Sequence, residues 1–269
     1  MKGKFYFVGT PIGNLKDFSI NQIETLKNVD CILCEDTRTS RTLLSHYEIN
    51  KQLLSFHKFN YKEMVEKVIS ELNAGKSFAL ISDAGMPVIS DPGIEIIEAL
   101  KANEINYTVI GGVSAFLNAY VLSGFPAPFT FIGFLPTKKT DKKNLLLEFR
   151  NVKSTLIFYS SVHKIDEDLD FLKAALGDRK ICITRELTKM YEEVIFSTLN
   201  SEVDFTKKGE FVIVVEGYKD DNESLTMDDK FNFYLSLGYN KNEAIKLVSK
   251  DFKLSKSEVY SYFVKKDNK

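Results

Sequence analysis

Short apolar runs alternate with helical patterns along the first part of the chain. The apolar runs predict buried strands, and they are Lys4–Val8, Val29–Cys34, Ser77–Ser82 and Asn106–Ile110. Between these runs the apolar residues have helical spacing, which predicts helices over Ser19–Asn28, Thr39–Tyr47, Tyr61–Asn73 and Gly93–Asn103. Strands that alternate with helices are typical of a parallel sheet covered by helices. We therefore expect an α/β domain over residues 1–124, with ligands bound beyond the carboxyl ends of its strands.

The pattern changes after the segment Gly124–Pro128, which contains two prolines and which we interpret as a hinge. Longer polar connections then separate the apolar runs, and the strand candidates are Phe129–Gly133, Thr155–Ser160, Lys180–Thr184 and Phe211–Val215. This looser pattern predicts a second α/β domain with a mixed sheet over residues 125–218.

The C-terminal part of the chain has an uneven charge distribution. Residues 219–230 hold five acidic residues and two lysines, which indicates a linker, whereas residues 240–269 hold eight lysines and four acidic residues. Within residues 231–269 the pattern predicts three short helices, Phe231–Leu237, Lys241–Phe252 and Ser255–Val264, with breaks at Gly238 and near Leu254. Short helices with basic residues resemble a helix-turn-helix module. A small solvated helical cap explains the same pattern, so nucleic-acid contact by this module stays open.

Composition and charge exclude several classes of protein. The 269 residues carry 36 Lys+Arg against 37 Asp+Glu, a net charge of −1, and 44% of them are hydrophobic. These values exclude a disordered chain and a polycation, so any nucleic-acid binding has to come from local patches. One such patch is residues 137–150, with five basic and two acidic residues.

Cysteine usage and hydrophobicity bear on the compartment. Cys31, Cys34 and Cys182 are too few for a secreted disulfide framework. No stretch approaches the roughly 20 apolar residues of a membrane span. We expect a cytoplasmic protein that does not enter a membrane.

Two sequence features resemble functional motifs but do not match them. Cys31 and Cys34 have the spacing of a metal or redox pair, but alternation along a strand places them on opposite faces. No second pair of cysteines or histidines completes a zinc site. Gly9-x-x-x-Gly13 is neither the dinucleotide-binding fingerprint nor a Walker A loop. We therefore expect no metal site, and neither hydride transfer nor ATP hydrolysis is favoured.

Three polar clusters that follow predicted strands remain as candidate sites. Ser82–Gly93 contains two Asp-bearing turns and suits a ligand held by main-chain groups and a carboxylate, although Asp91-Pro92-Gly93 would also serve to cap the next helix. Glu35–Arg41 places two arginines one turn apart, which suits phosphate binding or a solvated helix start. Arg185–Glu193 repeats this mixture of charges after another strand.

These clusters carry a family resemblance. The motifs occur in a fixed order, and they are Thr10-Pro11-Ile12-Gly13-Asn14-Leu15, Glu35-Asp36-Thr37-Arg38, Ser82-Asp83-Ala84-Gly85-x-Pro87-x-Ile89-Ser90-Asp91-Pro92-Gly93, Gly133-Phe134-Leu135-Pro136 and Arg185-Glu186-Leu187-Thr188-Lys189. In these motifs the chain resembles the ribosomal RNA small-subunit methyltransferase I family of the tetrapyrrole methylase superfamily. The resemblance runs from about residue 4 to residue 217 and extends to the C-terminal helices.

The resemblance implies a fold and an activity. It implies two α/β domains with S-adenosylmethionine in the cleft between them, followed by the small C-terminal helical module. The implied reaction is methyl transfer to the ribose 2′-OH of a cytidine in 16S rRNA of the small ribosomal subunit, by a homodimer. A corrin or porphyrin methylase of the same superfamily, and a ligand-sensing regulator that binds DNA, are the alternatives.

The resemblance also assigns residues by motif. The implied cofactor-binding residues are Pro11, Asp83, Met86, Pro87, Gly112, Ser114, Ala115 and Tyr159. Asp83 would accept hydrogen bonds from the donor's ammonium or ribose hydroxyls, and Tyr159 would pack on its adenine. The implied substrate-binding residues are Asn14, Thr37, Arg38, Arg41, Asp91 and Arg185. A general base would activate the hydroxyl, and the candidates are Glu35, Asp36 and Glu186.

Overall fold

A computed structural model describes residues 2–219, 226–236 and 239–267. The chain divides into two compact units, Met1–Tyr218 and Lys219–Lys269. The first unit holds two five-stranded sheets with helices, and the described residues of the second form helices and their connections. This confirms the predicted α/β class with a C-terminal helical module. The boundary expected between residues 124 and 125 stays a prediction.

The first sheet is entirely parallel, with strand order β3-β2-β4-β1-β5. Its strands are β1 (Phe5–Val8), β2 (Cys31–Cys34), β3 (Gln52–Ser55), β4 (Phe78–Leu80) and β5 (Tyr107–Ile110). The connecting helices are α1 (Ile20–Asn28), α2 (Thr37–His46), α3 (Tyr61–Asn73) and α4 (Ile94–Ala102). A short 3-10 helix at Leu15–Asp17 precedes α1.

Each face of this sheet is buried against helices. On one face Phe5 and Phe7 pack with residues of α3 and α4 such as Leu72 and Leu100. On the other face Val8 packs with residues of α1 and α2 such as Leu26 and Leu44. Cys31 belongs to the first cluster and Cys34 to the second. The predicted separation of the two thiols is confirmed, and both are free and buried.

The second sheet is mixed, as predicted, with strand order β6-β7-β10-β8-β9. Its strands are β6 (Phe129–Phe134), β7 (Thr155–Ser161), β8 (Lys180–Arg185), β9 (Glu193–Thr198) and β10 (Glu210–Val215). Only the β6–β7 pair is parallel. The segments predicted as polar connections contain two helices, α6 (Lys139–Glu148) and α7 (Ile165–Leu176), which cover one face of the sheet.

The other face of the second sheet packs against a helix from the first half of the chain. This helix, α5 (Ala115–Ser123), places the buried Ala119 among Ile157, Cys182 and Val212. Its sequence AFLNAYVLS is apolar on most sides. It therefore lacks the single apolar stripe, opposite a polar face, from which an amphipathic helix is predicted. The sequence pattern also did not predict the strands β3 and β9. The β3 sequence QLLS is short, and the β9 sequence EVIFST begins at the end of the charged cluster Arg185–Glu193.

The basic stretch 137–150 contains a buried cation. Lys142 on α6 is 1% exposed, and its Nζ lies 2.8 Å from Asp168 Oδ1 on α7 and 4.9 Å from the ring centre of Phe171. The other carboxylate oxygen of Asp168 accepts a hydrogen bond from Ser160 Oγ on β7 at 2.7 Å. Lys142 therefore ties two helices to a strand and is unavailable for the nucleic-acid patch expected from its sequence.

Where the structure describes it, the second unit forms the helices α8 (Met227–Ser236), α9 (Lys241–Asp251) and α10 (Lys256–Asp267). Ile245, Val248 and Val259 form its core, and the rings of Phe231 and Phe263 stack with centres 4.3 Å apart. Helix α8 begins inside the segment expected as a linker, whose residues 220–225 lie outside the described residues, as do Leu237 and the predicted break at Gly238.

None of the helices in the described part of the chain has the length and apolar content that crossing a membrane requires.

Replacement of Lys142 by Ala is predicted to lower the free energy of unfolding by about 3–5 kcal/mol, because it leaves the buried Asp168 without its cation. Urea unfolding followed by circular dichroism measures the change. The matched control is Lys143→Ala on the same helix, where the side chain is exposed, and a change within about 0.5 kcal/mol is expected. Equal unfolding midpoints for both variants would contradict the structural role of Lys142.

Candidate active site

A cavity of about 340 Å³ lies at the carboxyl ends of the first sheet's strands and is closed by the second sheet. The segment 83–91 after β4 forms one wall, and the start of α5 at Ser114 and Ala115 forms another. Tyr159 on β7 and Val212 on β10 form the wall that the second sheet provides. A volume of this size is in the range of small-molecule sites, and the position is the one expected for a ligand of an α/β sheet.

The loops that form the cavity are joined through their backbones. Thr10 and Gly85 exchange two hydrogen bonds, with N···O distances of 2.8 Å and 3.1 Å. The Thr10 hydroxyl donates to the carbonyl of Ser82 at 3.1 Å, and the Ser82 hydroxyl donates to the carbonyl of Gly85 at 3.0 Å. These contacts fix the turn Ser82–Gly85 against the end of β1, so the loop is held before any ligand arrives.

A second backbone contact joins the ends of β1 and β5. A Cβ atom on Gly9 would lie 2.8 Å from Cα of Gly112 and 2.8 Å from Sδ of Met86. Only glycine permits so close an approach. The amide of Gln22, buried on α1, donates to the carbonyl of Gly9 at 2.7 Å. The loops after β1, β4 and β5 are thus packed into one rigid support.

Strained backbone conformations occur on two sides of the cavity. Val88 and Ser90 have φ values of 74° and 69° in the loop after β4. Glu186 and Thr188, on either side of the lining residue Leu187, have φ values of 52° and 66°. Positive φ in a β-branched residue is uncommon and costs on the order of 1–3 kcal/mol. Such strain concentrates at functional sites, where the surrounding structure enforces it.

Asp83 and Asp91 are carboxylates that line the cavity, and both have raised pKa values. Burial raises the pKa of Asp83, and the charge of Asp36 adds to this effect while the Asp36 backbone N–H partly offsets it. Burial raises the pKa of Asp91 to about 6, with further contributions from the charges of Glu35 and Asp83. The cavity therefore carries negative charge that a cationic ligand would neutralise.

Aromatic and aliphatic side chains form the rest of the lining. The ring of Tyr159 lies 5.0 Å from that of Phe131 and 5.3 Å from that of Phe134. Burial raises the pKa of the Tyr159 hydroxyl. Ile12, Phe134 and Leu187 also line the cavity. These three apolar residues belong to the motifs that occur in a fixed order, but they were not predicted as site residues. In a sequence, an apolar residue of a cavity wall cannot be distinguished from one of a hydrophobic core.

The eight predicted cofactor-binding residues divide into two groups. Five line the cavity: Asp83, Met86, Ser114, Ala115 and Tyr159. The other three lie on the same loops beside it: Pro11 and Pro87 are buried, and Gly112 lines a shallow groove with Gln22 and Asn118. The structure thus brings all eight onto the loops and the strand that border one cavity.

The three carboxylates predicted as general bases are not among the described residues that line the cavity. Glu35 is exposed on the loop after β2. Asp36 caps helix α2 and binds Arg38 at 2.7 Å, and hydrogen bonds from Arg38 lower the pKa of Asp36 to about 2. Burial acts to raise the pKa of Glu186, but the hydrogen bonds from Lys189 and the Glu210 N–H outweigh it and the pKa is lowered.

The predicted substrate-binding residues are found in different surroundings. Asn14 caps the 3-10 helix through Lys16 N, and Thr37 begins α2. Arg38 has a side chain that is 90% exposed, and Arg41 is exposed one turn further on. Arg185 is buried, with its Nε 2.9 Å from Glu193. Its guanidinium is therefore occupied inside the protein, which leaves Arg38 and Arg41 as the arginines of this set that face solvent.

Asp91 lines the cavity and does not cap helix α4. The N-cap residue is Gly93, which has φ 147° and no side-chain cap, and its N–H bonds to Glu95 at 3.3 Å. The Asp91-Pro92-Gly93 turn thus supplies the N-cap residue of α4 through Gly93 and not through Asp91, and a functional role for Asp91 stays a prediction. Its carboxylate has no hydrogen-bond or ion-pair partner within the part of the chain that the structure describes.

A cavity at the carboxyl ends of a parallel sheet, closed by a second sheet, is typical of α/β proteins that bind a small-molecule ligand. Residues 4–202 match the sequence profile of the family described as Tetrapyrrole (Corrin/Porphyrin) Methylases. The chain therefore belongs to this family, whose members are methyltransferases that use S-adenosylmethionine.

Curated relatives are similar in sequence to nearly the whole length of this chain. A Ribosomal RNA small subunit methyltransferase I from Halalkalibacterium halodurans is 40% identical over 274 residues, which cover 97% of this chain and 95% of the relative. The Ribosomal RNA small subunit methyltransferase I of Bacillus subtilis is 40% identical over 277 residues, which cover 98% of this chain and 95% of the relative.

Solved structures support the fold. A uroporphyrin-III-C-methyltransferase from Thermus thermophilus superimposes with a TM-score of 0.58 at 15% identity, and the match covers 80% of this chain and 94% of that one. The methyltransferase CobJ superimposes with a TM-score of 0.62 at 17% identity over 80% of this chain and 94% of that one. At these identities the likeness extends to the fold alone.

Replacement of Gly112 by Ala is predicted to lower the stability by about 1–3 kcal/mol and to weaken S-adenosylmethionine binding. The added Cβ would lie 2.8 Å from Gln22 Nε2 and 3.0 Å from Cα of Gly9, which forces the supporting loops apart. Thermal unfolding and calorimetric titration with S-adenosylmethionine measure the two effects. Gly111→Ala is the matched control, because nothing lies within 4 Å of its Cβ position. The rigid-support interpretation fails if the two variants behave alike.

Proposed function

We propose that this protein transfers a methyl group from S-adenosylmethionine to the ribose 2′-OH of a cytidine in 16S rRNA. The observation that carries the proposal is 40% identity, over 97% of the chain, to a relative named Ribosomal RNA small subunit methyltransferase I. The match includes the basic C-terminal helices, which a methylase of small tetrapyrroles does not need. A cytoplasmic location is part of the proposal, and the free thiols of Cys31, Cys34 and Cys182 are in keeping with it.

The donor site in this proposal is the cavity beside Asp83. The donor would supply its methyl group from a positively charged sulfonium sulfur, which makes the methyl carbon electrophilic. The carboxylate of Asp83 accepts hydrogen bonds from the donor's ammonium or ribose hydroxyls. Backbone groups of Met86, Ser114 and Ala115 supply further polar contacts, and Tyr159 packs on the adenine.

Physical features of the cavity support this choice of ligand. Negative charge from Asp83 and Asp91 suits a cation, and Ile12, Leu187 and Tyr159 provide apolar surface for a flat ring. The rigid loops reduce the ordering that binding requires. Positioning of the hydroxyl in line with the methyl group is a large part of the catalysis of such a transfer.

The RNA site in this proposal lies around the start of helix α2. Arg38 and Arg41 are exposed one turn apart and bind phosphates. Thr37 is the first residue of α2, and Asn14 lies on the loop after β1. The second unit, taken by itself, carries exposed lysines such as Lys246 and Lys253. Contacts from a few patches favour a folded RNA target over indiscriminate binding.

We also propose that the protein is a homodimer that uses the outer side of α5. Leu117, Val121 and Leu122 are exposed there, with Val121 75% exposed, and no residue of this helix is charged. Exposed apolar surface of this kind marks a protein interface. A second copy is a suitable partner, because an uncharged surface meets itself across a twofold axis without repulsion.

Label from radioactive S-adenosylmethionine is predicted to appear on one cytidine ribose of 16S rRNA. The acceptor is small ribosomal subunits from a strain that lacks the enzyme, and primer extension combined with nuclease mapping locates the methyl group. A porphyrinogen serves as the competing acceptor. Label on the porphyrinogen would overturn the proposal. So would unlabelled RNA after incubation with protein that is shown to bind S-adenosylmethionine.

The same assay tests the RNA site. Joint replacement of Arg38 and Arg41 by Ala is expected to lower RNA methylation by roughly tenfold or more through lost phosphate contacts, with donor binding unchanged. Lys27→Ala, at the far end of α1, is the control and is expected to retain full activity.

The dimer is tested by mass in solution. Val121→Glu is predicted to give a monomer in light scattering at a concentration where the unaltered protein has the mass of two chains, because each interface would bury two opposed carboxylates. Glu98→Gln, an exposed change on α4, is the control. A monomeric mass for the unaltered protein would refute the dimer without touching the enzymatic proposal.

A further inference from the structure

The loop after β3 presents an aromatic side chain to solvent. Phe59 is 82% exposed, more than any other phenylalanine or tyrosine that the structure describes. Phe56, three residues earlier, is buried in the core beside the first sheet. Burial of an aromatic ring is a large favourable contribution to folding, and Phe59 does not make it. The loop therefore places one ring in the core and leaves the other where a ligand can reach it.

Hydrogen bonds hold this loop in a fixed shape. The Asn60 side chain closes it, because its Oδ1 accepts from the His57 N–H at 2.8 Å and its Nδ2 donates to the Ser55 carbonyl at 2.8 Å. The Phe59 N–H donates to His57 Nδ1 at 3.3 Å, and the two rings lie edge to face with centres 5.9 Å apart. A side chain on a loop held in this way loses less freedom when it binds a ligand.

The surroundings of Phe59 are basic. Lys58 Nζ lies 5.0 Å from the centre of the Phe59 ring, which is a cation–π distance. Residues 51–62 hold three lysines and no acidic residue, and of these Lys58 and Lys62 are exposed. An exposed ring beside exposed cations suits a single-stranded nucleic acid, because a base stacks on the ring and phosphates meet the cations.

The loop also adjoins the proposed RNA site at α2. Strands β2 and β3 are parallel, with Cys34 paired to Ser55, so the loops after them leave the same edge of the sheet. The Ser55 hydroxyl donates to the carbonyl of Glu35 at 3.2 Å, three residues before Arg38. The loop that carries Phe59 is thus bonded to the loop that leads into Arg38.

Another exposed aromatic residue has different surroundings. Tyr191, on the loop after β8, is exposed, but Glu192 and Glu193 follow it directly. Lys189, two residues before it, is bound between two glutamates. Acidic neighbours repel a phosphate backbone. Of these two exposed rings, that of Phe59 is the one whose neighbours favour RNA.

We propose that Phe59 is a stacking platform for an unpaired base of the RNA acceptor, with Lys58 on an adjoining phosphate. This inference rests on the proposed function, because it requires an RNA acceptor. Neighbouring strands lie about 4.8 Å apart, and β3 is two strands away from β4, whose loop forms a wall of the donor cavity. The base on Phe59 therefore belongs to a nucleotide that flanks the target, and its stacking positions the target ribose.

Replacement of Phe59 separates stacking from a general apolar contact. Phe59→Ala is expected to weaken the binding of small ribosomal subunits by about 5- to 100-fold, with S-adenosylmethionine binding unchanged. Phe59→Trp keeps an aromatic face and is expected to retain the affinity, whereas Phe59→Leu keeps apolar bulk and is expected to behave like Phe59→Ala. Filter binding measures subunit affinity and calorimetry measures donor affinity. Phe196→Ala on β9, where the ring is 62% exposed, is the matched control and is expected to bind normally.

Salt dependence and cross-linking test the two parts of the platform. Lys58→Ala is expected to reduce the slope of log affinity against log salt by about one, whereas Phe59→Ala is expected to leave that slope unchanged. With p-benzoylphenylalanine in place of Phe59, irradiation of the complex with small subunits is expected to cross-link the protein to an unpaired nucleotide of 16S rRNA, which reverse transcription locates. The same amino acid in place of Phe196 is expected to give no such cross-link.

Three results would each overturn the inference. The first is unchanged subunit affinity in Phe59→Ala, and the second is equal affinity of Phe59→Leu and Phe59→Trp, which would indicate an apolar contact without stacking. The third is a cross-link to a ribosomal protein in place of RNA, which would make the loop a protein contact. All three leave methylation of small subunits by the unaltered protein intact. Absence of that methylation would instead overturn the proposed function, and this inference with it.

Discussion

The close backbone contact of three strand-end loops is the constraint on which the site depends. The loops after β1 and β4 exchange hydrogen bonds between Thr10 and Gly85, and those after β1 and β5 meet at Gly9 and Gly112, where no Cβ fits. Because the support is made of backbone, it leaves little freedom to the groups that line the cavity. The positive φ values of Val88 and Ser90 are tolerated for the same reason, since the surrounding loops hold them in place.

The second sheet closes the cavity through helix α5. This helix follows β5 directly in the chain, yet it packs on the face of the second sheet that carries Ile157 and Val212. The same strands β7 and β10 contribute Tyr159 and Val212 to the cavity wall. The buried ion pair of Lys142 with Asp168 anchors β7 from its other side through Ser160. Packing on the opposite face of β7 thus supports the position of Tyr159 in the cavity wall.

The distribution of charge divides similar residues into different roles. Asp36 and Glu186 each face a cation, which lowers the pKa of both carboxylates. Asp83 and Asp91 face the cavity, where burial raises the pKa of both. Arg185 and Lys142 are buried against acidic partners, whereas Arg38 and Arg41 face solvent. Motifs identify such residues together, but only the folded structure separates the buried charges from those that are exposed to solvent.

The sequence by itself determined the parallel sheet, the mixed second sheet and the loops that border the cavity, because period and turn residues are local properties. It also separated Cys31 from Cys34 through strand alternation. The tertiary structure alone decided that α5 and β9 form, that Arg185 and Lys142 are buried, and that Asp91 faces the cavity while Glu35 lies outside it. These outcomes depend on contacts between segments distant in the chain, which no local pattern of apolar and polar residues encodes.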